Sequence, residues 1–141
     1  MRFMMIVKAS KDSEAGKMPS EEMLAAMAKF NEELVKAGVL VDLAGLKSSA
    51  NGARVRFSGG QRIVIDGPFA KTKELIAGFW IINVESLQEA IDWAKRVPAP
   101  HGPDQECELE IRPFFELEDF APSQAVDDHK EIGKKLAATK K

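Results

Sequence analysis

The sequence predicts an α+β fold, a ferredoxin-like split βαβ sheet that carries an added β-hairpin. Three observations favour it. The predicted elements follow the order strand, helix, strand, strand, helix, strand once the hairpin is set aside. A Gly-Gly turn joins two short strand-like segments in the middle of the chain. Two other strands are apolar on both faces, so both faces of the sheet need to be covered.

The composition fits one compact domain with its own core. The chain has 141 residues, of which 45% are hydrophobic and 30% charged. No apolar run approaches the length of a membrane span, and the single cysteine, Cys107, excludes an internal disulfide, so we expect a cytoplasmic protein with no membrane contact. The net charge of -2 supplies no field that would recruit nucleic acid directly.

The first third of the chain reads as strand, helix, strand. Residues 2–9 alternate as a strand that is largely apolar on both faces, and residues 10–17 are expected to form a polar loop. A helix should then run from about Ser20 to Ala37, because acids follow its start and Gly38 supplies its stop. Its stripe of Met23, Met27, Phe30 and Leu34 indicates core packing in preference to a cofactor box. Residues 39–46 predict the second strand.

A hairpin is predicted next, with strands at residues 53–58 and 61–66. The alternation indicates one apolar face and one basic face, the latter carrying Arg54, Arg56 and Arg62. Two interpretations of these arginines are open. They form a solvated strand face, or they form an anion-binding surface.

The remaining elements complete the split βαβ order. Residues 75–84 have no polar face, Ser86 and Glu89 form the capping box of a second helix that Pro98 ends, and residues 107–112 alternate as a last strand. We expect the domain to span residues 1–120, followed by a polar, lysine-rich tail or marginal helix over residues 121–141. With helices on one sheet face, the other face is expected to pack against a second copy, which predicts a homodimer.

Residues 66–74, which read Asp-Gly-Pro-Phe-Ala-Lys-Thr-Lys-Glu, are the most distinctive stretch. They resemble the hallmark of the DGPF family, which belongs to the wider YCII-related proteins. Other similar stretches are residues 31–34, 37–40, 52–55, 78–80, 110–113 and 118–120, so the resemblance covers roughly residues 1–120. It implies a dimeric α+β barrel with a cleft of unknown chemistry.

The resemblance also implies two functional connections. YCII-like proteins are suspected of enzymatic activity through a histidine-aspartate pair in the cleft, and DGPF proteins often occur with extracytoplasmic-function sigma factors. This chain departs from the pattern, because Lys47 stands where many relatives carry histidine and Lys71 where the usual motif has glutamate. Lys47 and Lys71 thus replace a neutral base and an acid by two cations. This change favours anion binding over proton transfer as the role of the site.

The candidate site is built around this turn. Catalytic candidates are Asp66, Lys73 and Glu74; ligand-binding candidates are Lys47, Arg54, Arg56, Phe69, Lys71, His101 and Arg112. Each has a plain structural alternative: Asp66 caps the turn, Lys73 and Glu74 form a surface pair, Phe69 belongs to the core, and His101 is a solvated loop residue. No metal or cofactor is expected, since His101 and His129 share no ligand-spaced carboxylate and no phosphate loop or nucleophile elbow is present.

Two functional hypotheses follow. The first is an uncharacterised YCII-related homodimer that binds a small anionic molecule beside residues 66–74, with any catalysis limited to weak acid-base chemistry. The second is a regulatory or interaction module, linked to transcription through sigma factors and using the lysine-rich tail. The residues leave open whether the protein is an enzyme.

Overall fold

The structure is a computed structural model that describes residues 1–70 and 74–139. A four-stranded antiparallel sheet holds the fold together, with strand order β2-β5-β1-β6. Its strands are β1 (Arg2–Lys8), β2 (Leu40–Gly45), β5 (Ile76–Asn83) and β6 (Leu109–Pro113). β3 (Ala53–Ser58) and β4 (Gln61–Asp66) form a separate two-stranded sheet. The helices are α1 (Lys11–Glu14), α2 (Glu21–Lys36), α3 (Leu87–Ala94) and α4 (Gln124–Thr139), with short 3-10 turns at Ser49–Asn51 and Leu117–Asp119.

This topology confirms the predicted α+β, ferredoxin-like fold. β5 lies between β2 and β1, and β1 lies between β5 and β6, so each strand-helix-strand unit is split by another strand. The hairpin of β3 and β4 is inserted between β2 and β5, as the Gly59-Gly60 turn predicts.

The core lies on one face of the four-stranded sheet. Along β1, Phe3, Met5 and Val7 are buried while the residues between them are only half-buried, which is the alternation of a strand covered on one side. From α2, Phe30 and Leu34 reach this core, and the Phe30 ring meets Trp80 edge-to-face with 5.6 Å between ring centroids. The predicted methionine stripe therefore belongs to core packing, with Met27 packed against the buried cluster.

Local chemistry sets the helix boundaries. Ser20 caps α2 by accepting a hydrogen bond from the Met23 amide, and two acids in the first turn face the positive end of the helix dipole. Ser86 caps α3 in the same way through the Glu89 amide. Gly38, at φ 74°, follows α2 in the left-handed conformation that glycine adopts without strain.

The opposite face of the sheet is covered less completely. Met4 and Ile6 of β1 sit beside Ile81 and Phe79 of β5 in the register, and all four side chains are only half-buried. We refer to these four residues as the open sheet face. None of the four belongs to the buried core cluster, so this side of the sheet is partly exposed to solvent.

Two expectations about local structure were wrong. Residues 10–17, expected to be a loop, contain the single-turn helix α1, which starts because Ser10 and Ser13 cap each other reciprocally. The hairpin does not have one apolar and one basic face. Its register pairs Arg54 with Ile65 and Arg56 with Ile63, and cross-strand partners share a face, so arginine and isoleucine alternate on the same side.

The C-terminal segment beyond residue 120 is helical where the structure describes it. α4 spans 16 residues and begins with Ser123 accepting from the Val126 amide. Of the two expected forms of this segment, a tail or a marginal helix, the structure shows the helix. Its residues are exposed except for Val126, which is half-buried.

Candidate functional site

The turn after β4 is held by backbone and serine contacts. The Gly67 amide donates to the Gly52 carbonyl at 3.0 Å, and the Phe69 amide donates to the Ser49 hydroxyl at 2.9 Å. The Gly67-Pro68 peptide is cis. A side chain at position 67 would collide with the Ser49 carbonyl group, whose carbon lies 2.6 Å from the place of a Cβ atom. Only glycine therefore lets this turn approach the 3-10 turn at residues 49–51 so closely.

A carboxylate completes this arrangement from a third segment. Glu14, the last residue of α1, accepts hydrogen bonds from both the amide and the hydroxyl of Ser49, the amide at 2.9 Å. The Ser49 hydroxyl thus donates to Glu14 while it accepts from the Phe69 amide. We call Glu14, Ser49 and the Phe69 amide the turn clasp. It joins α1, the 3-10 turn and the Asp66–Ala70 turn, and the two hydrogen bonds to the Glu14 carboxylate are charge-assisted, which is the stronger kind.

Arg54 and Phe69, both predicted to bind ligand, are brought together. The Arg54 guanidinium lies over the Phe69 ring, 3.9 Å from its centroid, which is the geometry of a cation-π contact. Phe69 is half-buried and Arg54 is exposed. Stacking fixes the plane of the guanidinium while its edge, which carries the N–H donors, stays available to a second group.

The predicted acids at the two ends of the turn differ in what they face. Asp66 pairs with Ala53 in the register, so its side chain lies on the hairpin face opposite to Arg54. Its carboxylate is exposed and makes no hydrogen bond or ion pair with any residue in the described ranges, so these residues do not form the cap considered for it. Glu74 is exposed just before β5. Lys71 and Lys73, the other predictions in this stretch, lie outside the described residues.

His101 is tethered rather than freely solvated. Its Nε2 lies 2.7 Å from the carbonyl oxygen of Lys8, the last residue of β1, and the ring is half-buried. Because a carbonyl oxygen only accepts, Nε2 carries a proton and donates it to this hydrogen bond. The next residue, Ala9, donates its amide to Leu75, so His101 and the entry to β5 meet at the same end of β1.

The remaining predicted cations fall in two places. Arg56 is exposed two positions from Arg54 on the same hairpin face, and Lys47 is exposed two positions before Ser49. Arg112 pairs with Met4 in the register, four positions from Lys8, which is about 13 Å along the strand. Its nearest ion partner is Glu110 at 3.9 Å. The protomer therefore brings Arg54 and Phe69 into contact at the turn, places Arg56 on the same hairpin face as Arg54 and Lys47 close to Ser49 in sequence, and leaves Arg112 at the other end of β1 from Lys8.

Glu14 and Ser49 are the site residues that sequence reasoning missed. Glu14 lay in a segment expected to be a loop, and Ser49 in a polar stretch with no recognisable motif. The one available signal was the capping pattern of Ser10 and Ser13, which predicts a short helix that would fix the direction of Glu14.

The side chains around the turn are predominantly basic. Within the described part of the chain, no three histidine, cysteine or acidic side chains are placed to hold a metal ion. Between residues 46 and 70 the sequence has four basic side chains and one acidic one, although the whole chain is acidic. A guanidinium stacked on an aromatic ring, with a second arginine on the same face, suits a carboxylate or phosphate group.

Together the topology and this site define an α+β protein of ferredoxin-like fold with a basic turn region at one end of its sheet. The chain belongs to the YCII-related domain family, whose match covers residues 1–114. It is 39% identical over 79 residues to an uncharacterised protein of Rhizobium meliloti, a match that covers 56% of this chain and 64% of that protein. The chain thus spans less than two thirds of the length of the relative it matches. No helix in the described ranges has the length and apolar character needed to cross a membrane.

Proposed function

We propose that the protein is a homodimer that binds a small anionic molecule, a carboxylate or a phosphate, beside the Asp66–Ala70 turn. The observation that carries this proposal is the Arg54 guanidinium, which is stacked on Phe69 at 3.9 Å. Among the described residues no carboxylate lies within ion-pair distance of Arg54, Arg56 or Lys47. These cations therefore keep their donors available to a ligand. Lys71 is included in the proposed site from its sequence position.

Arg62 supplies a matched control for this proposal. It also lies over an aromatic ring, that of Phe57 at 4.8 Å, but it points to the opposite hairpin face because it pairs with Phe57 in the register. Arg54→Gln and Arg62→Gln remove the same charge and the same kind of ring contact. Only the first removes a donor from the proposed site.

The test is titration of the protein with inorganic phosphate and with succinate at low ionic strength, followed by amide chemical shifts. We expect saturable shifts in residues 47–56 and 66–70 that Arg54→Gln weakens about tenfold, the cost of losing one charge-assisted contact. Arg62→Gln should bind as the unmodified chain does. Equal weakening by both variants, or shifts that never saturate, would show a general charge effect and contradict the proposal.

The homodimer is supported by apolar surface that the described residues cover only in part. The open sheet face is half-buried, and on the hairpin Phe57 and Val64 are 67% and 64% exposed, whereas Ile63 and Ile65 on the other side are 37% and 36% exposed. A second sheet packed face to face would cover such a surface. This pairing corresponds to the dimeric α+β barrel expected from the sequence.

Light scattering tests the dimer. The expected mass is twice 15.5 kDa, and Ile81→Asp on the open sheet face should lower it to that of one chain, because a buried, unpaired carboxylate is strongly disfavoured. Val35→Asp, on the exposed side of α2, is the control and should leave the mass unchanged. A mass of one chain for the unmodified protein at tens of micromolar would overturn this part of the proposal.

Weak acid-base chemistry by Asp66, Lys73 and Glu74 is a separable part of the proposal. Support comes from the exposed Asp66 carboxylate, which is open to solvent for proton exchange. If Asp66→Asn leaves binding unchanged but abolishes any turnover found for a bound acid, this assignment holds. If turnover survives, Asp66 is not the base.

An interaction module is the second candidate function, and a link to transcription stays a prediction within it. It is favoured by α4, which lies beyond the family match and presents exposed apolar residues. Full-length protein and a chain ending at residue 122 can be compared in capture of purified sigma factors. Capture that needs α4 supports the module. We place the protein in the cytoplasm in either case, since one exposed thiol suits a reducing compartment.

A further inference from the structure

α4 carries an apolar stripe that is exposed in the part of the chain that the structure describes. Ala125, Ile132, Leu136 and Thr139 fall on one side of the helix at the spacing of a heptad seam, with His129 at its margin. Ile132 and Leu136 are 58% and 56% exposed. The half-buried residue of α4, Val126, lies more than a quarter turn away from Ile132 around the helix axis. The stripe is thus separate from the side by which α4 meets the rest of the chain.

The charges beside the stripe are divided along the helix. Residues 124–131 contain three acids and one lysine, and residues 132–139 contain two lysines and no acid. Asp128 and Lys135 both border the stripe on the same side, at similar distances before and after Ile132. Such a gradient also suits the dipole of the helix itself. The helix dipole, however, does not explain why the stripe is apolar and exposed. It also does not explain why Asp128 and Lys135 lie at similar distances from Ile132.

We propose that α4 pairs antiparallel with α4 of a second copy, with Ile132 next to the partner's Ile132 at the two-fold axis. In this arrangement the acidic half of each helix faces the basic half of the other, and Asp128 lies across from the partner's Lys135. A parallel pair would set acid against acid and lysine against lysine. The division of charge along the helix therefore favours a second α4, packed against the stripe in the antiparallel orientation.

The size of this contact defines its role. A 16-residue helix is about 24 Å long, and two such helices sharing a few apolar residues bury less than the roughly 1,200 Å² of a stable interface. Pairing of α4 therefore adds to another contact between chains, or joins dimers, rather than holding two chains alone. It goes beyond the proposed anion site and does not depend on it.

Gly133 follows Ile132 in sequence but lies seven positions after Val126, and so on the Val126 side of the helix. A Cβ atom at residue 133 would meet no atom within 4 Å in the protomer, so no intrachain contact accounts for a glycine in the middle of the helix. Glycine in a helix interior costs about 1 kcal/mol relative to alanine. Gly133 therefore lowers the stability of the helix beside the stripe and supplies no contact to the proposed pair.

Disulfide crosslinking tests the pairing independently of any other interface. In a Cys107→Ser background, Ile132→Cys places a thiol at the proposed axis, and Lys130→Cys places one on the opposite side of the same helix. At tens of micromolar under mild oxidant, Ile132→Cys should form covalent dimer about tenfold faster than Lys130→Cys, since crosslinking follows the local thiol concentration. Equal rates, or faster crosslinking of Lys130→Cys, would overturn the proposal.

Charge reversal tests the orientation. Asp127→Lys with Asp128→Lys leaves Glu131 as the one acid of α4, and Lys134→Glu with Lys135→Glu leaves Lys130 as its one lysine. Each variant with Ile132→Cys should crosslink to itself about tenfold less, because the two Asp128–Lys135 pairs related by symmetry are lost and like charges replace them. A mixture of the two should recover the heterodimer crosslink, with circular dichroism confirming that both keep their helix content. Undiminished self-crosslinking of either helical variant would refute the antiparallel pair. A variant with reduced helix content is replaced by Leu136→Asp with Ile132→Cys, which should crosslink about tenfold less because a carboxylate in the apolar stripe is disfavoured. Undiminished crosslinking of this variant would refute the pair.

Discussion

Gly67→Ala perturbs the closest backbone approach in the candidate site. The added Cβ would overlap the Ser49 carbonyl group and lie 3.3 Å from the Ala50 nitrogen. Both obstacles belong to the backbone, so no side-chain rotation relieves the clash. Gly67 does not have a left-handed φ. The cost of alanine therefore comes from this contact and not from backbone strain.

The loss of stability follows from the contacts that a displaced turn would break. Gly67 would lose its hydrogen bond to Gly52, the Phe69 amide its bond to Ser49, and the Phe69 ring its place under Arg54. Hydrogen bonds contribute about 0.5–1.5 kcal/mol each and an exposed cation-π contact about 0.5–1 kcal/mol. We expect unfolding to become about 2–4 kcal/mol easier. In a chain of this size that corresponds to a fall in Tm of roughly 10 °C.

Urea denaturation and differential scanning calorimetry measure the effect, with Gly45→Ala as the control. A Cβ at Gly45 meets no atom within 4 Å, so this variant should stay within about 1 kcal/mol of the unmodified chain or gain slightly from the less flexible unfolded state. If Gly67→Ala is as stable as Gly45→Ala, the close approach of the turn to residues 49–50 is refuted.

Three further predictions address other parts of the molecule. Ser49→Ala opens the turn clasp and should cost about 1–3 kcal/mol by urea denaturation, whereas Ser48→Ala removes only a 3.4 Å contact with Asn51 and should be near neutral; equal costs would contradict the clasp. Asn31→Ala takes away the 2.7 Å partner of the Trp80 indole N–H and should cost about 1–2 kcal/mol and shift the tryptophan fluorescence; an unchanged spectrum would show that the indole is not held there. Desolvation raises the pKa of the Cys107 thiol, so its thiolate forms at higher pH than in the unfolded chain. The rate of alkylation by iodoacetamide should therefore reach half its maximum at a higher pH in the folded protein than in urea-unfolded protein. A midpoint pH in the folded protein at or below that of the unfolded protein would contradict the shift.

The fold was predictable because its main signals are local and periodic. Alternation in β1 and β5, the stripe of α2 and the Ser86 cap of α3 each indicate an element type, and their order leaves few topologies for a split βαβ sheet. The hairpin position followed from Gly59-Gly60. Its faces did not, because the cross-strand register decides which side chains share a face and the sequence of each strand alone does not specify it.

The candidate site was predictable only in part. The turn stood out because glycine and proline are strong turn signals, and Arg54 and Phe69 were both expected to bind ligand. The turn clasp depends on residues 14, 49 and 69, which come together only through the tertiary fold. The hydrogen bond of His101 to the end of β1 spans 93 positions and is equally invisible in a local pattern. Side-chain contacts of this range need the folded chain.

The turn clasp makes the Phe69 amide a reporter of the assembled sheet. Its acceptor is a side-chain hydroxyl 20 positions away, which is in turn oriented by a carboxylate 35 positions further back. Contacts of such sequence separation form only after β1, β2 and the hairpin have found their places, since closing long loops is entropically costly. Hydrogen exchange at the Phe69 amide therefore follows the opening of these joined segments, and not the local fluctuation of one exposed turn.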